Sequence, residues 1–343
     1  MVTIKDIARE LGLSVSSVSM ALNNSQEIGE LTKRKVQEKA RELNYIRNGS
    51  AVDLQRQRTN TVLFITEDPA RPYFADAIKI LEEVLNTLNL DLVIITANNY
   101  KKRNSLRFLR EQRADAVVCW SEFVDYETLN MCASDSMPIF VLGRNTSKLT
   151  NPNIYNVSIE RSRAGYEITK YLIMLGFKNL VFVHNVQNSI GSNYRRNGFE
   201  RAVDENTIVQ GTIVNAQGSD YDSGYQATQK LLLPLVKNKQ IDCIVYSTDD
   251  MAAGGLNCML QSNIKIPDDV SITGYSNYPI SKMLRPKLTT VELHEQEIMR
   301  VTAEALKRVV CKQESSEKIK TNLAKEFISS EIIERESVKR ERK

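Results

Sequence analysis

TIKDIARELGLSVSSVSMALN, residues 3–23, is the stretch whose reading decides the architecture. Thr3 and Asp6 have capping-box-like spacing, which marks a helix start. Ile4, Ile7, Ala8 and Leu11 then recur at i, i+3, i+4 and i+7, one apolar stripe of a helix. Gly12 stands at the expected C-terminal cap, Leu13 closes the turn, and Ser14 caps a second helix over 15–22. So short a turn between two helices is the geometry of a helix-turn-helix. On the second helix Val18 and Leu22 share an inward face, and Ser16, Ser17, Ser19 and Met20 are left outward. Small hydroxyl side chains at a helix N-terminus suit phosphate contact, because the free backbone N–H groups point the same way. A third helix over about 30–43 is predicted to bury Leu31, Val36, Ala40 and Leu43 and to carry Lys33, Arg34, Lys35, Lys39 and Arg41. Periodicity alone is equally compatible with a polar three-helix bundle that binds nothing. Residues 1–60 hold ten Lys/Arg against seven Asp/Glu, which is +3 of the chain's formal +4. That is a mild basic bias, in the direction a nucleic-acid reader needs.

Behind this unit, strand-type and helix-type runs alternate. Strands are predicted over 62–66, 90–96, 116–120 and 139–142, with helices over 72–88, 104–111 and 126–134. A second series has helices over 163–175, 194–204, 221–235 and 251–261, with strands over 180–183, 208–214, 241–246 and 270–274. Such alternation argues parallel sheets with right-handed crossovers, and ligands collect in the crevice beyond the strand C-termini. Residues 48–60 have little to bury and read as a flexible linker.

A length of 343 residues suits two or three domains. No run approaches the roughly 20 apolar residues of a membrane span, and the N-terminus is polar helix rather than a leader, so a cytoplasmic chain is expected. Cys119, Cys132, Cys243, Cys258 and Cys311 lack paired metal-site spacing, and several sit in apolar runs where a buried free thiol is the ordinary reading. His184 and His294, the two histidines, are too few for a His-rich cluster, and His184 falls at an apolar strand end where a packed imidazole is expected. No phosphate loop, dinucleotide fingerprint or nucleophile elbow is present. Asp249 and Asp250 are adjacent, and a helix-start cap explains one of them more simply than a catalytic pair. The expectation is no enzyme, no catalytic residue, no metal and no cofactor. A sugar-binding receptor and a sugar-metabolising enzyme are the rival classes for an alternating α/β body. The receptor calls for an export signal and the enzyme for a catalytic constellation.

The stretch 3–23, followed by TKRKV (32–36) and ELNYIRN (42–48), resembles the headpiece of the lactose repressor/galactose repressor (LacI/GalR) family. The resemblance continues in order through RTNTV (58–62), PYF (72–74), RRNGF (195–199), DDMAAG (249–254), PDDVSITGY (267–275), PKLTTV (286–291) and RES (335–337), nearly the whole chain. It implies an α/β protein with an N-terminal all-α helix-turn-helix headpiece and a two-lobed, periplasmic-binding-protein-like body with parallel sheets. The boundaries it suggests are a headpiece over 1–47, a hinge helix or linker over 48–60, and a body over 61–343. Within the body, one lobe spans about 61–160 and the other about 161–290, with crossovers and shared final segments. The implied function is a DNA-binding transcriptional regulator, a repressor of carbohydrate-utilisation genes. Its implied partners are a pseudo-palindromic double-stranded DNA operator, a second copy of itself and a small sugar-like effector. Control by a phosphorylated partner protein or a non-sugar metabolite is the alternative.

Residue by residue, the resemblance implies base reading by Val15, Ser16 and Met20, with phosphate contacts from Thr3, Ser14, Ser17, Ser19 and Asn23. Asn48, Ala51 and Leu54 are the implied hinge contacts, with Leu54 an apolar wedge between base pairs in the minor groove. Effector contacts are implied at Tyr73, Phe74, Glu160, Arg195, Tyr221, Asp249 and Ser276. Taken as residues, Glu160, Tyr73, Phe74 and Tyr221 are equally readable as core, rim or ion-pair positions. The chain departs from the family pattern at five sites, one of them Glu160, which stands where Asp is common. Met20 stands where Arg is common, Arg47 where Pro is usual, Asp249 where Asn is usual, and Ser276 where Asp is usual. Met cannot grip guanine O6 and N7 as Arg does, so Met20 and Val15 are expected to press on thymine methyls.

Overall fold

The computed structural model describes residues 2–46, 58–97, 106–159, 161–186, 190–326 and 328–339. The chain divides into two compact units, Met1–Thr59 and Asn60–Lys343. The hinge positions Asn48, Ala51 and Leu54, together with Arg47 and Glu160, lie outside the described residues.

In the first unit, α1 (Ile4–Leu11), α2 (Val15–Leu22) and α3 (Glu30–Glu42) pack around Ile7, Ala8, Val18, Ala21, Val36 and Ala40. The backbone N–H and hydroxyl of Thr3 both donate to Asp6, at 2.9 and 2.8 Å. Gly12 ends α1 at φ +65° in the left-handed region that favours glycine. The Ser14 hydroxyl accepts from the Ser17 amide at 3.0 Å. Ser14→Ala is expected to cost about 1 kcal/mol of local stability. Hydrogen exchange should then show the Ser17 amide opening roughly fivefold more often, and unchanged protection would exclude a capping role.

One expected core residue is misplaced. Leu31 is 78% exposed, and Lys33 is the buried residue, 9% exposed, paired with Glu30 at 2.6 Å. The reason is helical phase. Counting back from Val36 and Ala40, the same face is reached three residues before Val36, at Lys33, and its aliphatic stem covers the core while the ammonium reaches outward.

In the second unit, β1 (Thr61–Thr66), β2 (Asp91–Thr96), β3 (Ala116–Trp120), β4 (Ile139–Leu142) and β5 (Ile154–Val157) form a parallel sheet in the order β2-β1-β3-β4-β5. Its helices include α4 (Pro72–Asn86), α5 (Arg107–Arg110) and α6 (Tyr126–Cys132). The period of two along β1 splits its side chains: Val62 and Phe64 enter one core layer, Leu63 and Ile65 the other. The other lobe has β6 (Asn179–Asn185), β7 (Gln210–Ala216), β8 (Cys243–Tyr246) and β9 (Ser271–Thr273), parallel in the order β7-β6-β8-β9. Around it lie α7 (Arg161–Met174), α8 (Ile190–Asp204), α9 (Tyr221–Ala227), α10 (Leu233–Lys237), α11 (Asp249–Gln261) and α12 (Pro279–Met283).

The chain passes between lobes after β5, again between β10 (Thr290–Glu292) and α13 (Glu295–Val310), and again between α14 (Ser316–Lys325) and β11 (Glu331–Ile333). Helices α13 and α14 return to the first lobe, where Met299, Leu306, Ile319 and Leu323 join its core. The last described residues lie on the second lobe, with Val338 in its core and the Ser337 hydroxyl donating to Ile272 O at 2.6 Å.

Several elements differ from expectation. β5, β10, β11, α12, α13 and α14 are additions; the three strands are only three or four residues long and carry Asn, Thr and Glu. The helix expected over 221–235 breaks into α9, a π-helical segment (Thr228–Leu232) and α10, whose Pro234 has no N–H to continue the ladder. β7 begins two residues late, leaving Ile208 exposed. Helix α11 begins at Asp249, and its cap is Thr248, whose hydroxyl accepts from Met251 N, so neither aspartate is the cap. Four of the five cysteines are buried, whereas Cys311 is exposed. Among the described residues, no helix is long and apolar enough to cross a membrane.

Candidate functional site

Parallel sheets leave a crevice where neighbouring crossovers run to opposite sides of the sheet. In the first lobe that point lies between β1 and β3, and in the second between β6 and β8. Glu67 follows β1, and Trp120, Ser121 and Glu122 end or follow β3. Ser192 and Arg195 stand on α8 after β6, and Ser247 and Thr248 follow β8. All of these line one cleft of about 670 Å³, counted with its open mouth, between the two lobes.

Arg195 is the deepest cation in it. Its guanidinium lies 4.1 Å over the Tyr275 ring and donates to Ser247 O. Its Nε is buried with no hydrogen-bond partner among the described residues. Arg161, at the first crossing between lobes, donates to Gly143 O at 2.9 Å. Arg71 reaches across to the Ser219 hydroxyl at 3.0 Å. Three carboxylates, Glu67, Glu122 and Glu295, face these three arginines. Burial, and next Glu122, push the Glu67 carboxyl upward. Tyr73 and Trp120 offer aromatic faces, their ring centres 5.4 Å apart, and Tyr73 stacks on Tyr278 of the other lobe at 5.8 Å and 14°. The cleft thus combines flat apolar faces with a balanced set of charged donors and acceptors, the combination that holds a small hydroxylated ring.

Two glycines place Arg195. A Cβ on Gly165 of α7 would stand 2.3 Å from Arg195 O, and one on Gly198 of α8 would stand 2.1 Å from Ser162 O. The helices therefore touch backbone to backbone, and α8 holds Arg195 at a fixed depth.

On the headpiece, Val15, Ser16, Ser19, Met20 and Asn23 occupy one arc of α2, roughly 140° wide at ~100° per residue. Val15 is 45% exposed, Ser16 and Asn23 are exposed, and Ser19 and Met20 are half-buried. Val18, Ala21 and Leu22 fill the opposite face. Ser17 sits at the border, its hydroxyl 2.8 Å from that of Ser14.

Two family profiles match this arrangement. One, described as periplasmic binding proteins and sugar binding domain of the LacI family, matches residues 59–331. The other, described as bacterial regulatory proteins of the lacI family, matches residues 3–48. The chain belongs to the LacI family. It is 30% identical over 347 residues to the probable HTH-type transcriptional repressor ExuR of Bacillus subtilis (strain 168), with 99% of each chain covered. In fold it is similar to a LacI-family transcriptional regulator from Silicibacter pomeroyi, with a TM-score of 0.78 at 24% identity, covering 99% of this chain and 100% of that one. It is also similar to the lac repressor dimer bound to operator and the anti-inducer ONPF, with a TM-score of 0.74 at 18% identity and 98% of each chain covered. The chain is accordingly a LacI-family transcriptional regulator with a DNA-binding helix-turn-helix unit and a ligand-binding regulatory body. Regulators of this family are not enzymes.

Of the effector residues expected from sequence, this LacI-family chain brings Tyr73, Phe74 and Arg195 together in the cleft. Phe74 is largely core, edge-on to Phe64 at 6.1 Å. Asp249 does not line the cleft. It is fully buried, and its oxygens accept from Thr290 Oγ1 at 2.6 Å and Tyr278 N at 2.7 Å. Burial holds its carboxyl up at about 7, against the opposing pull of those hydrogen bonds. It ties down the loop that presents Tyr278. Ser276, at φ +95°, lines a separate cavity behind Tyr278. Tyr221 is half-exposed outside the cleft, its hydroxyl accepting from Asn257 Nδ2. His184 is packed as expected, its Nδ1 2.9 Å from the Ser192 hydroxyl, with burial lowering its pKa.

The sequence reading missed Glu67, Arg71, Trp120, Arg161, Tyr278 and Glu295. Trp120 and Glu67 were reachable in principle, because each stands at the C-terminal end of a predicted strand, where crevice residues belong. Arg161 and Glu295 stand at crossings between lobes, which no local pattern marks.

Proposed function

We propose that the chain is a homodimeric cytoplasmic repressor of carbohydrate-utilisation genes that binds a pseudo-palindromic operator and is controlled by a sugar or sugar derivative in the cleft. The observation that carries this reading is the buried Arg195, with its free Nε, set among aromatic faces at the meeting of the two switch points. Arg195 donates to ligand oxygens, Tyr73 and Trp120 cover a ring face, and closure of the lobes on the ligand changes the spacing of the two 48–60 connectors in a dimer. Asn48, Ala51 and Leu54 carry the minor-groove contacts of those connectors. A two-fold protein matches a two-fold duplex site. The test is an operator titration with and without candidate carbohydrates at several salt concentrations. Operator affinity indifferent to every carbohydrate removes sugar control, and no preference for any duplex over bulk competitor removes the whole reading.

In the headpiece, Thr3, Ser14, Ser17, Ser19 and Asn23 position the phosphates while Val15, Ser16 and Met20 meet base edges. Selection from random duplex DNA is expected to return thymine, not guanine, opposite Met20. Met20→Arg is expected to move that preference to guanine by about tenfold or more, since a bidentate Arg–guanine contact discriminates by roughly 1–3 kcal/mol. A guanine selected by the unmodified protein and retained by Met20→Ala would count against this docking.

A further inference from the structure

Glu295 is the first residue of α13, at the second crossing between the lobes. It lines both the effector cleft and the cavity behind the Tyr73–Tyr278 stack. The other cleft carboxylate with a resolved role, Glu67, accepts from the Glu122 amide at 3.2 Å. Glu295 differs: among the described residues no hydrogen bond or close ion pair holds its carboxylate, and Arg195 and Arg161 are the cations that act on it. Its side chain is half-buried, so the carboxylate stands open to whatever occupies the cleft. Across the same cleft Arg195 carries the complementary defect, a buried Nε–H with no acceptor. One cleft thus holds a buried donor with no acceptor, Arg195 Nε, and a partly exposed carboxylate with no protein donor, Glu295, and both are open to something that enters it.

We propose that Glu295 is a specificity-determining effector contact, its carboxylate accepting hydrogen bonds from the hydroxyl groups of a neutral polyol whose oxygens Arg195 engages from the opposite side. The proposal rests on the sugar reading of the cleft and narrows it. With the three cleft glutamates ionised, they match the three cleft arginines, so a neutral ligand leaves the charge balance of that state undisturbed. A ligand carboxylate placed beside Glu295 brings two like charges together in a poorly solvated site. Arg195 and Arg161 favour its ionised form and Glu292 and Asp249 oppose it; Arg71, Glu67, Glu122, Tyr73 and Tyr278 share the cleft, and Asp76, His294, Glu297 and Arg300 share the cavity behind it. Burial outweighs the arginines and pushes the Glu295 carboxyl up to about 7. An ionised carboxylate is the stronger acceptor, so polyol binding favours the ionised form and affinity rises as pH climbs through about 7.

The test is calorimetric titration of the full chain with a panel of neutral pentoses, hexoses and disaccharides and the matching hexuronates, at pH 6 to 8.5. The expected result is a neutral sugar as tightest ligand, bound more tightly above pH 7 than below it. E295Q, which keeps the shape, is expected to weaken that sugar about 10- to 100-fold and flatten the pH dependence. E295D, one methylene shorter, is expected to weaken binding while keeping the pH dependence, which a merely structural role for position 295 does not produce. Equal affinity in E295Q and the unmodified chain overturns the proposal, as does a hexuronate preferred to its parent hexose; either leaves the sugar reading standing. No binding of any panel member by the unmodified chain overturns both.

Discussion

Gly198→Val is expected to leave the second lobe unable to fold. The Cβ that any other residue carries at 198 would lie 2.1 Å from Ser162 O and 2.5 Å from Tyr166 N, both backbone atoms of α7. No side chain can swing aside to relieve such a contact, so the two helices must separate. Gly165 makes the reciprocal approach, 2.3 Å from Arg195 O. Gly198→Ala already forces that separation, and overpacking of this kind costs typically ~1–3 kcal/mol, partly offset by alanine's better helix propensity of ~1 kcal/mol. Valine adds two methyl groups to the same gap and brings the cost to a large share of the ~5–15 kcal/mol that holds a domain folded. Denaturant unfolding should show Gly198→Ala clearly destabilised and Gly198→Val aggregating or without a cooperative transition. Alanine and valine variants as stable as the unmodified chain would show that α7 and α8 do not meet this way. The alanine variant also tests the site, because α8 carries Arg195: its ligand affinity should fall more than its operator affinity.

The second large effect is expected at Arg195 itself. Arg195→Met removes the donor set of the cleft while keeping an unbranched apolar stem against Tyr275. A hydrogen bond to a charged group is worth ~1.5–3 kcal/mol, so effector affinity should fall by roughly one to two orders of magnitude. Arg195→Lys should rescue little, since a point charge on a flexible stem cannot reproduce a planar fork held over the Tyr275 ring. Operator binding without effector should survive in both variants, because the residues proposed to contact DNA belong to a separate compact unit. The phenotype is a repressor that holds its operator and ignores its ligand. Calorimetry and operator titration on one preparation measure both halves, and undiminished effector affinity in Arg195→Met would remove this arginine from the site.

Local pattern carried the headpiece far. The i, i+3, i+4, i+7 stripe of Ile4, Ile7, Ala8 and Leu11, the Gly12 cap and the Ser14 cap are each set by residues within one or two helical turns. The same holds for the long parallel strands, whose continuous apolar runs reflect burial on both faces. Leu31 failed because hydrophobicity alone does not give helical phase, and Lys33 can be buried by its stem.

The cleft was legible only in outline. Motif positions pointed to Arg195, Tyr73 and Phe74, but they also pointed to Asp249, Ser276 and Tyr221, which the fold turns to other uses. Asp249 lies fully buried beneath the loop it anchors, and sequence cannot distinguish an anchor from a ligand contact when both are polar residues after a strand.

By itself, then, the sequence determined a three-helix unit and an alternating α/β body, because caps, periodicity and strand runs are short-range properties of the chain. Only the tertiary structure decided which side chains share the cleft. Glu67, Trp120, Arg161, Arg195 and Glu295 are far apart along the chain, and they meet because parallel crossovers carry every strand end to one side and the chain crosses between lobes at Arg161 and Glu295.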